Sequence, residues 1–301
     1  MLTIHFRLSL ENKGVTMLDL NYQDKNAWMH RYPNVAEYHR EAIADTDMSG
    51  YRSSRKHNES WSGSSSFDVT EERYSKGYPE GTALARDMVL KLTPFLRTVK
   101  GLKRGWKNSM HAGGNFDMQA YSKGLPECCV TMQPVVSKKF ASLIVNTTAS
   151  CGVSTEVMQR RGVACLALAQ VLEQNGYRVS IKLAFALAGD SPKKQFCIVD
   201  LKPFNQTADV DRLAFFLADP SAFRRLHFSW MEAQPREVRR IMWVEPSSGY
   251  GMPIELPSSE ITDKDIYLGC ANLNSKQWTS LELAQDWIKE SLKRYGVQFY
   301  G

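Results

Sequence analysis

The stretch Phe140–Ala188 limits what this chain can fold into more than any other part of it. An apolar run, Leu143–Val145, is followed by the small-residue loop Asn146–Val153 and a helical pattern over Thr155–Asn175. A turn at Gly176 then leads to a second apolar stretch, Arg178–Ala188. Strand, loop, helix and strand in that order make the opening unit of a parallel α/β domain, because parallel neighbours need a long crossover and a helix supplies it. In such sheets ligands gather at the loop beyond the carboxyl end of the first strand. Here that loop is Asn146-Thr147-Thr148-Ala149-Ser150-Cys151-Gly152, which offers hydroxyls and an amide but no carboxylate, histidine or lysine. The scaffold is legible while its usual chemistry is missing, which predicts binding rather than catalysis.

The alternation continues downstream. A strand is predicted over Gln195–Leu201, helices over Asp209–Ala218 and Pro220–Glu232, and strands over Arg236–Val244 and Ile266–Gly269. A closing helix over Thr279–Tyr295 carries the apolar stripe Leu281, Ala284, Trp287, Ile288 and Leu292. Upstream, Asn34–Ala44 reads as a short helix with Val35, Tyr38 and Ala42 on one side, and Asp45–Ser66 as a polar loop. Phe67–Lys76 reads as a helix begun by Ser66, and Thr82–Val99 as a helical pattern interrupted at Pro94. Gly101–Asn115 reads as a basic, glycine-rich loop, and Glu127–Gln133 as a strand. The expected fold is therefore α/β, with a mainly parallel or mixed sheet, helices on both faces, and an irregular helix- and loop-rich N-terminal region before it.

Three segments follow: 1–16, a non-native leader; 17–125, a basic N-terminal region; and 126–301, the α/β domain. The leader is inferred from Lys13-Gly14-Val15, whose codons can contain a bacterial ribosome-binding sequence at a normal distance before Met17. Met17 is then the expected start, in a bacterial or phage gene.

At 43% hydrophobic and 23% charged residues, the 301-residue chain is a globular one, and wholesale disorder is excluded. Its longest apolar stretches, Val163–Leu172 and Leu183–Ala188, are too short to span a bilayer, and Arg7 interrupts the only early apolar run. Cytoplasmic residence in a bacterial host is expected, with no membrane partner. Six cysteines occur without a Cys-x-x-Cys pair, so they read as reduced thiols rather than disulfides or a zinc site. No cofactor and no metal is expected.

Charge is unevenly distributed. Between Arg86 and Lys107 lie seven basic residues against one acid, Asp87, an excess equal to the net +6 of the whole chain. Such a local excess attracts polyanions. Within and near it, Lys100, Lys103, Arg104 and Lys107 surround Trp106, and the upstream loop repeats the mixture with Arg52, Arg55, Lys56 and Trp61. The glycine and lysine spacing is wrong for a phosphate-binding P-loop. Cations interleaved with aromatics suit single-stranded nucleic acid, whose unpaired bases expose their faces. In that reading Arg52, Arg55, Lys56, Lys100, Lys103, Arg104 and Lys107 hold phosphates, and Trp61 or Trp106 stacks on bases. The competing role for both tryptophans is anchorage in the core.

Arg224-Arg225 and Arg236, Arg239 and Arg240 form a further basic cluster, expected to make ion pairs within the fold. No catalytic constellation stands out. His30, His39, His57 and His111 lack metal-ligand spacing, and Ser62-Gly63-Ser64 is not a nucleophile elbow. Asp209 and Asp211 suit a helix N-terminus.

Two resemblances bear on function. Asn146-x-Thr148-x-Ser150, after a buried strand and before a helix, resembles the Asp-x-Ser-x-Ser metal loop of von Willebrand factor A-type domains, with a similar downstream layout over about residues 138–296. Asn146 replaces the defining acid, which implies a degenerate relative that no longer binds metal. Trp61-Ser-Gly-Ser, then Gly77-Tyr-Pro-Glu-Gly81 and the Ile144–Gly176 unit, resemble the Drc-type single-stranded-DNA-binding RNA polymerase cofactors of Schitoviridae bacteriophages, over about residues 60–180. That resemblance implies binding to melted promoter DNA and recruitment of a phage-encoded RNA polymerase for middle transcription, in a protein able to form homo-oligomers. The alternative is a phage structural or assembly protein built on a von Willebrand-like protein-interaction domain.

Overall fold

The computed structural model describes residues 17–18, 26–44, 58–92, 96–97, 103–109, 115–135, 139–190, 192–244, 249–295 and 297–299. In chain order the first elements are β1 (Met17–Leu18), β2 (Ala27–Tyr32), α1 (Val35–Ala42), α2 (Glu59–Ser62), α3 (Phe67–Lys76) and α4 (Pro79–Leu92). They are followed by β3 (Leu96–Arg97), β4 (Lys103–Ser109), β5 (Asn115–Phe116), α5 (Met118–Ser122), β6 (Cys129–Val135), β7 (Lys139–Asn146) and α6 (Thr155–Gln174). The second half adds β8 (Tyr177–Ala188), β9 (Lys194–Lys202), α7 (Val210–Ala218), a π-helical segment (Ala222–His227), α8 (Phe228–Glu232) and α9 (Arg236–Ile241). It ends with β10 (Met252–Pro253), β11 (Asp265–Leu268), α10 (Leu281–Lys293) and β12 (Gln298–Phe299). No described helix is long and apolar enough to cross a membrane.

The expected α/β class holds. The main sheet is mixed and seven-stranded, in the order β1-β2-β9-β8-β7-β11, with β10 also on β8. β7 runs parallel to both β8 and β11, β2 runs parallel to β9, and β8 and β9 form an antiparallel hairpin. Alternation along β8 sends Val179, Ile181, Leu183, Phe185 and Leu187 into one core, all 2% exposed or less. Each such side chain contributes about 1.5–3 kcal/mol by leaving water. Helices α1, α4, α6, α7, α8 and α10 pack into the same core, with Leu143 and Val145 of β7, Val199 of β9 and Phe223 and Leu226 of the π-helical segment. The opposite face carries a smaller cluster of Met29, Ile144, Ala184, Ala186, Phe196, Ile198 and Leu256, against which pack Ile254 and Ile261 from either side of a short 3-10 turn at Ser258–Glu260.

Helix starts follow the caps written in the sequence. Ser66, Ser154, Asp209 and Ser280 each accept a bond from a first-turn backbone N–H of α3, α6, α7 and α10. Gly162 marks where α6 and α7 meet backbone to backbone: a Cβ there would lie 1.9 Å from the Leu217 carbonyl oxygen.

Four expectations are corrected. Arg236–Val244 is not a strand but helix α9; Pro235 before it, Glu237 in its first turn and Arg239 and Arg240 in its last suit a helix and its dipole. The pattern over Thr82–Val99 begins earlier, at Pro79, and stops at Leu92, after which Leu96–Arg97 pairs with Gln298–Phe299. Residues 103–109 of the predicted loop form strand β4 against β6, with Lys103 opposite Val135 and Ser109 opposite Cys129. The division at residue 126 does not run through the fold, because β2 lies in the main sheet beside β9 and α1 and α4 pack in the same core as α6.

Candidate functional site: a sealed strand-end loop and a basic antiparallel sheet

β7 ends at Asn146, at the carboxyl edge where an α/β sheet offers its ligand site. Asn146 is fully buried and both ends of its amide are used. Its Oδ1 accepts from the Thr148 N–H (3.2 Å) and hydroxyl (2.7 Å), and its Nδ2 donates to the Ile254 carbonyl at 2.9 Å. A carboxylate could not make that last bond, so the amide is fitted to this place. From α6, the buried Arg161 guanidinium donates to the main-chain carbonyls of Asn146, Leu268 and Gly269, tying the end of β7 to the end of β11. Burial lowers its pKa. The loop is also zippered to the chain after β11, through Ser150 N–H to Ala271 O (3.0 Å) and Ala271 N–H to Thr148 O (2.8 Å). A fixed cation thus stands where a hard metal ion would need carboxylates.

Beside this loop, the Glu255 carboxylate accepts from the Tyr267 hydroxyl (2.6 Å) and from the Cys270 N–H (3.2 Å) and thiol (3.4 Å). Burial, reinforced by the Glu255 charge, pushes the Cys270 thiol up to about 11. It is therefore a protonated thiol at neutral pH, a poor nucleophile. Among the described residues no group of three or more His, Cys, Asp or Glu side chains is arranged to hold a metal ion.

Trp61 was expected to stack on bases from a loop. It lies instead in α2, packed against the main core. Its indole N–H donates to the Cys151 carbonyl at 2.8 Å, and the Arg224 guanidinium sits 4.5 Å from its ring centre. One face of the ring is thus already covered by a cation. The Trp61-Ser-Gly-Ser turn is held by three arginines. Arg224 donates to the Trp61 carbonyl, Arg225 to the Ser64 hydroxyl and carbonyl (both 2.7 Å), and Arg73 to the Gly63 carbonyl (2.7 Å) and the buried Asp219 carboxylate (2.9 Å). Arg224 also reaches Val153 O at 2.6 Å. Arg224 and Arg225 are both buried; Arg224 donates to backbone carbonyls and Arg225 to the hydroxyl and carbonyl of Ser64.

The remaining predicted contacts are distributed as follows. Arg52, Arg55, Lys56 and Lys100 lie outside the described residues. Lys103, Arg104, Trp106 and Lys107 fall on β4, an edge strand of a second, antiparallel sheet in the order β4-β6-β5. Arg86 and Lys91 stand on the exposed side of α4, and Lys91 takes the single acid of that stretch, Asp87, at 2.8 Å. Arg161, Arg224 and Arg225 of the main fold are buried while Arg40, Arg178, Arg236, Arg240 and Arg294 are exposed; of the basic excess, Arg86 and Lys91 lie on an exposed helix side and Lys103, Arg104 and Lys107 on β4.

Sequence reading missed Arg161, although a signal existed. Met158, Arg161, Cys165 and Leu168 follow helical spacing, so the arginine occupies a position on an otherwise apolar stripe. It also missed the exposed aromatics of β5 and α5.

A family model described as a domain of unknown function (DUF7192) matches residues 11–298. No curated protein and no solved structure matches.

Proposed function

We propose that this chain, which belongs to the DUF7192 family, is a non-enzymatic protein that binds single-stranded DNA through its basic segments, at melted promoter DNA and with a phage RNA polymerase as partner. The observation that carries this is the gathering of three basic residues on one short strand, β4. Arg161, Arg224 and Arg225 are spent on carbonyls inside the frame, and Arg31 and Arg73 on Glu260 and Asp219. Lys103, Arg104 and Lys107 share one edge strand, in a stretch with a single acid that Lys91 already engages. A protonated Cys270 and a strand-end loop closed by Arg161 favour a frame over an active site. The same loop, with the helix after β7 and the β8–β9 hairpin, supports reading that frame as a von Willebrand-like domain without its metal.

Phosphate contacts release counterions, so affinity for a labelled single strand should fall as salt rises, by about 0.7 log units per contact for each log unit of salt. Lys103→Glu with Arg104→Glu should weaken all sequences about equally. Fluorescence anisotropy over a salt series checks both. Binding that ignores salt, or no binding at low salt, ends the proposal.

A further inference from the structure

We infer that Phe116 and Tyr121 form a stacking platform for the bases of a single strand whose phosphates lie along β4; this rests on the single-strand reading above. β6 is flanked by β5 on one side and β4 on the other, and its Cys129 is opposite Phe116 of β5 and Ser109 of β4. Two strand spacings, about 10 Å, separate those flanking strands. Asp117 caps α5 by accepting from the Gln119 and Ala120 N–H groups, which brings Tyr121 back beside Phe116. Their ring centres are 5.2 Å apart at an interplanar angle of 56°. Phe116 is 50% exposed and Tyr121 60%, and Met118 and Leu125 of the same segment are exposed as well.

Folding alone gives no reason to leave two aromatic rings and two long aliphatic side chains of one short segment in water. Charge selects the occupant. Residues 103–135 hold Lys103, Arg104, Lys107 and Lys123 against Asp117 and Glu127, and Asp117 is engaged at the helix cap. A polyanion with exposed ring faces fits that surface. A duplex hides its base faces in the stack, whereas a single strand presents them.

The test uses the full chain, a labelled oligothymidine and the same strand carrying abasic sites, at low salt. Replacing Phe116 and Tyr121 together by Ala should weaken the intact strand about tenfold or more, and Tyr121→Phe should leave it unchanged. Wild type should bind the abasic strand more weakly than the intact one, whereas the double variant should bind the two alike. Circular dichroism and an unchanged Tm verify that the variants are folded. If wild type binds and the Lys103/Arg104 reversal weakens it, but the double Ala variant binds as wild type, the platform is refuted and the single-strand reading stands. If wild type binds no single strand, both fall. A double variant that keeps DNA affinity but loses a defined protein partner assigns the patch to protein docking and also overturns the inference.

Discussion

Arg161 shows how one side chain can close a site. Its charge is solvated by three carbonyl dipoles at the ends of β7 and β11 instead of by water or a carboxylate. Replacing it by Met would strand those carbonyls in a buried place, each at about 1–3 kcal/mol, while relieving the cost of burying the guanidinium. We expect Arg161→Met to destabilise the fold by about 2–4 kcal/mol, read as a lower urea midpoint. An unchanged midpoint would mean that the guanidinium's desolvation cancels its bonds. Residue-level features that act locally were legible in the sequence: Ser66 caps α3 as expected, and Val35, Tyr38 and Ala42 are the buried side of α1. Arg224 was not, and Arg161 showed only as a charge on an apolar stripe, because the carbonyls that receive them are placed only by the fold.

Among the elements, the contact of α6 with α7 is the tightest constraint. Gly162 lets the Leu217 and Ala218 backbone approach so closely that any side chain must push the helices apart. Gly162→Ala, which would stabilise an isolated helix by about 1 kcal/mol, should here destabilise the protein by about 1–3 kcal/mol. A chemical melt gives the sign directly. Elements whose own pattern is strong, such as β8 with its alternation running into the apolar stretch Leu183–Ala188 and α6 with its Ser154 cap, were readable within a residue or two. β4 was not: Lys-Arg-Gly-Trp-Lys-Asn-Ser has no apolar alternation, and only its pairing with β6 makes it a strand. α9 was misread for the opposite reason, since its short run Val238–Ile241 fits either period.

For the molecule as a whole, the core beneath α1 and α8 sets the response to acid. His30, 5% exposed with both ring nitrogens unpartnered, packs edge-on against Trp230. Burial lowers its pKa from 6.5 to about 4, with the Glu41 charge pulling the other way. His227, stacked on Phe185 and bonded to the Tyr38 hydroxyl, is also lowered, by burial and by His30. Between pH 6.5 and 4 the unfolded chain takes up protons that these histidines refuse in the fold. Stability should therefore fall with pH in that window, by about 1.4 kcal/mol per unit for each histidine. Asp219, whose carboxyl is raised by burial, opposes this trend at the acid end. Urea melts at pH 7.5, 6 and 5 should show the slope, and His30→Leu should remove about half of it; a flat profile would contradict the assignment.

That same core begins with β2, each of whose residues pairs with one 167 positions later, from Ala27 with Lys194 to Tyr32 with Val199. During synthesis at about 5–20 residues per second, β2 waits roughly 8–30 s for its neighbour to be made. Through that interval β2 has only the two-residue β1 beside it. β2 is thus made early but completes its place in the sheet only once β9 exists.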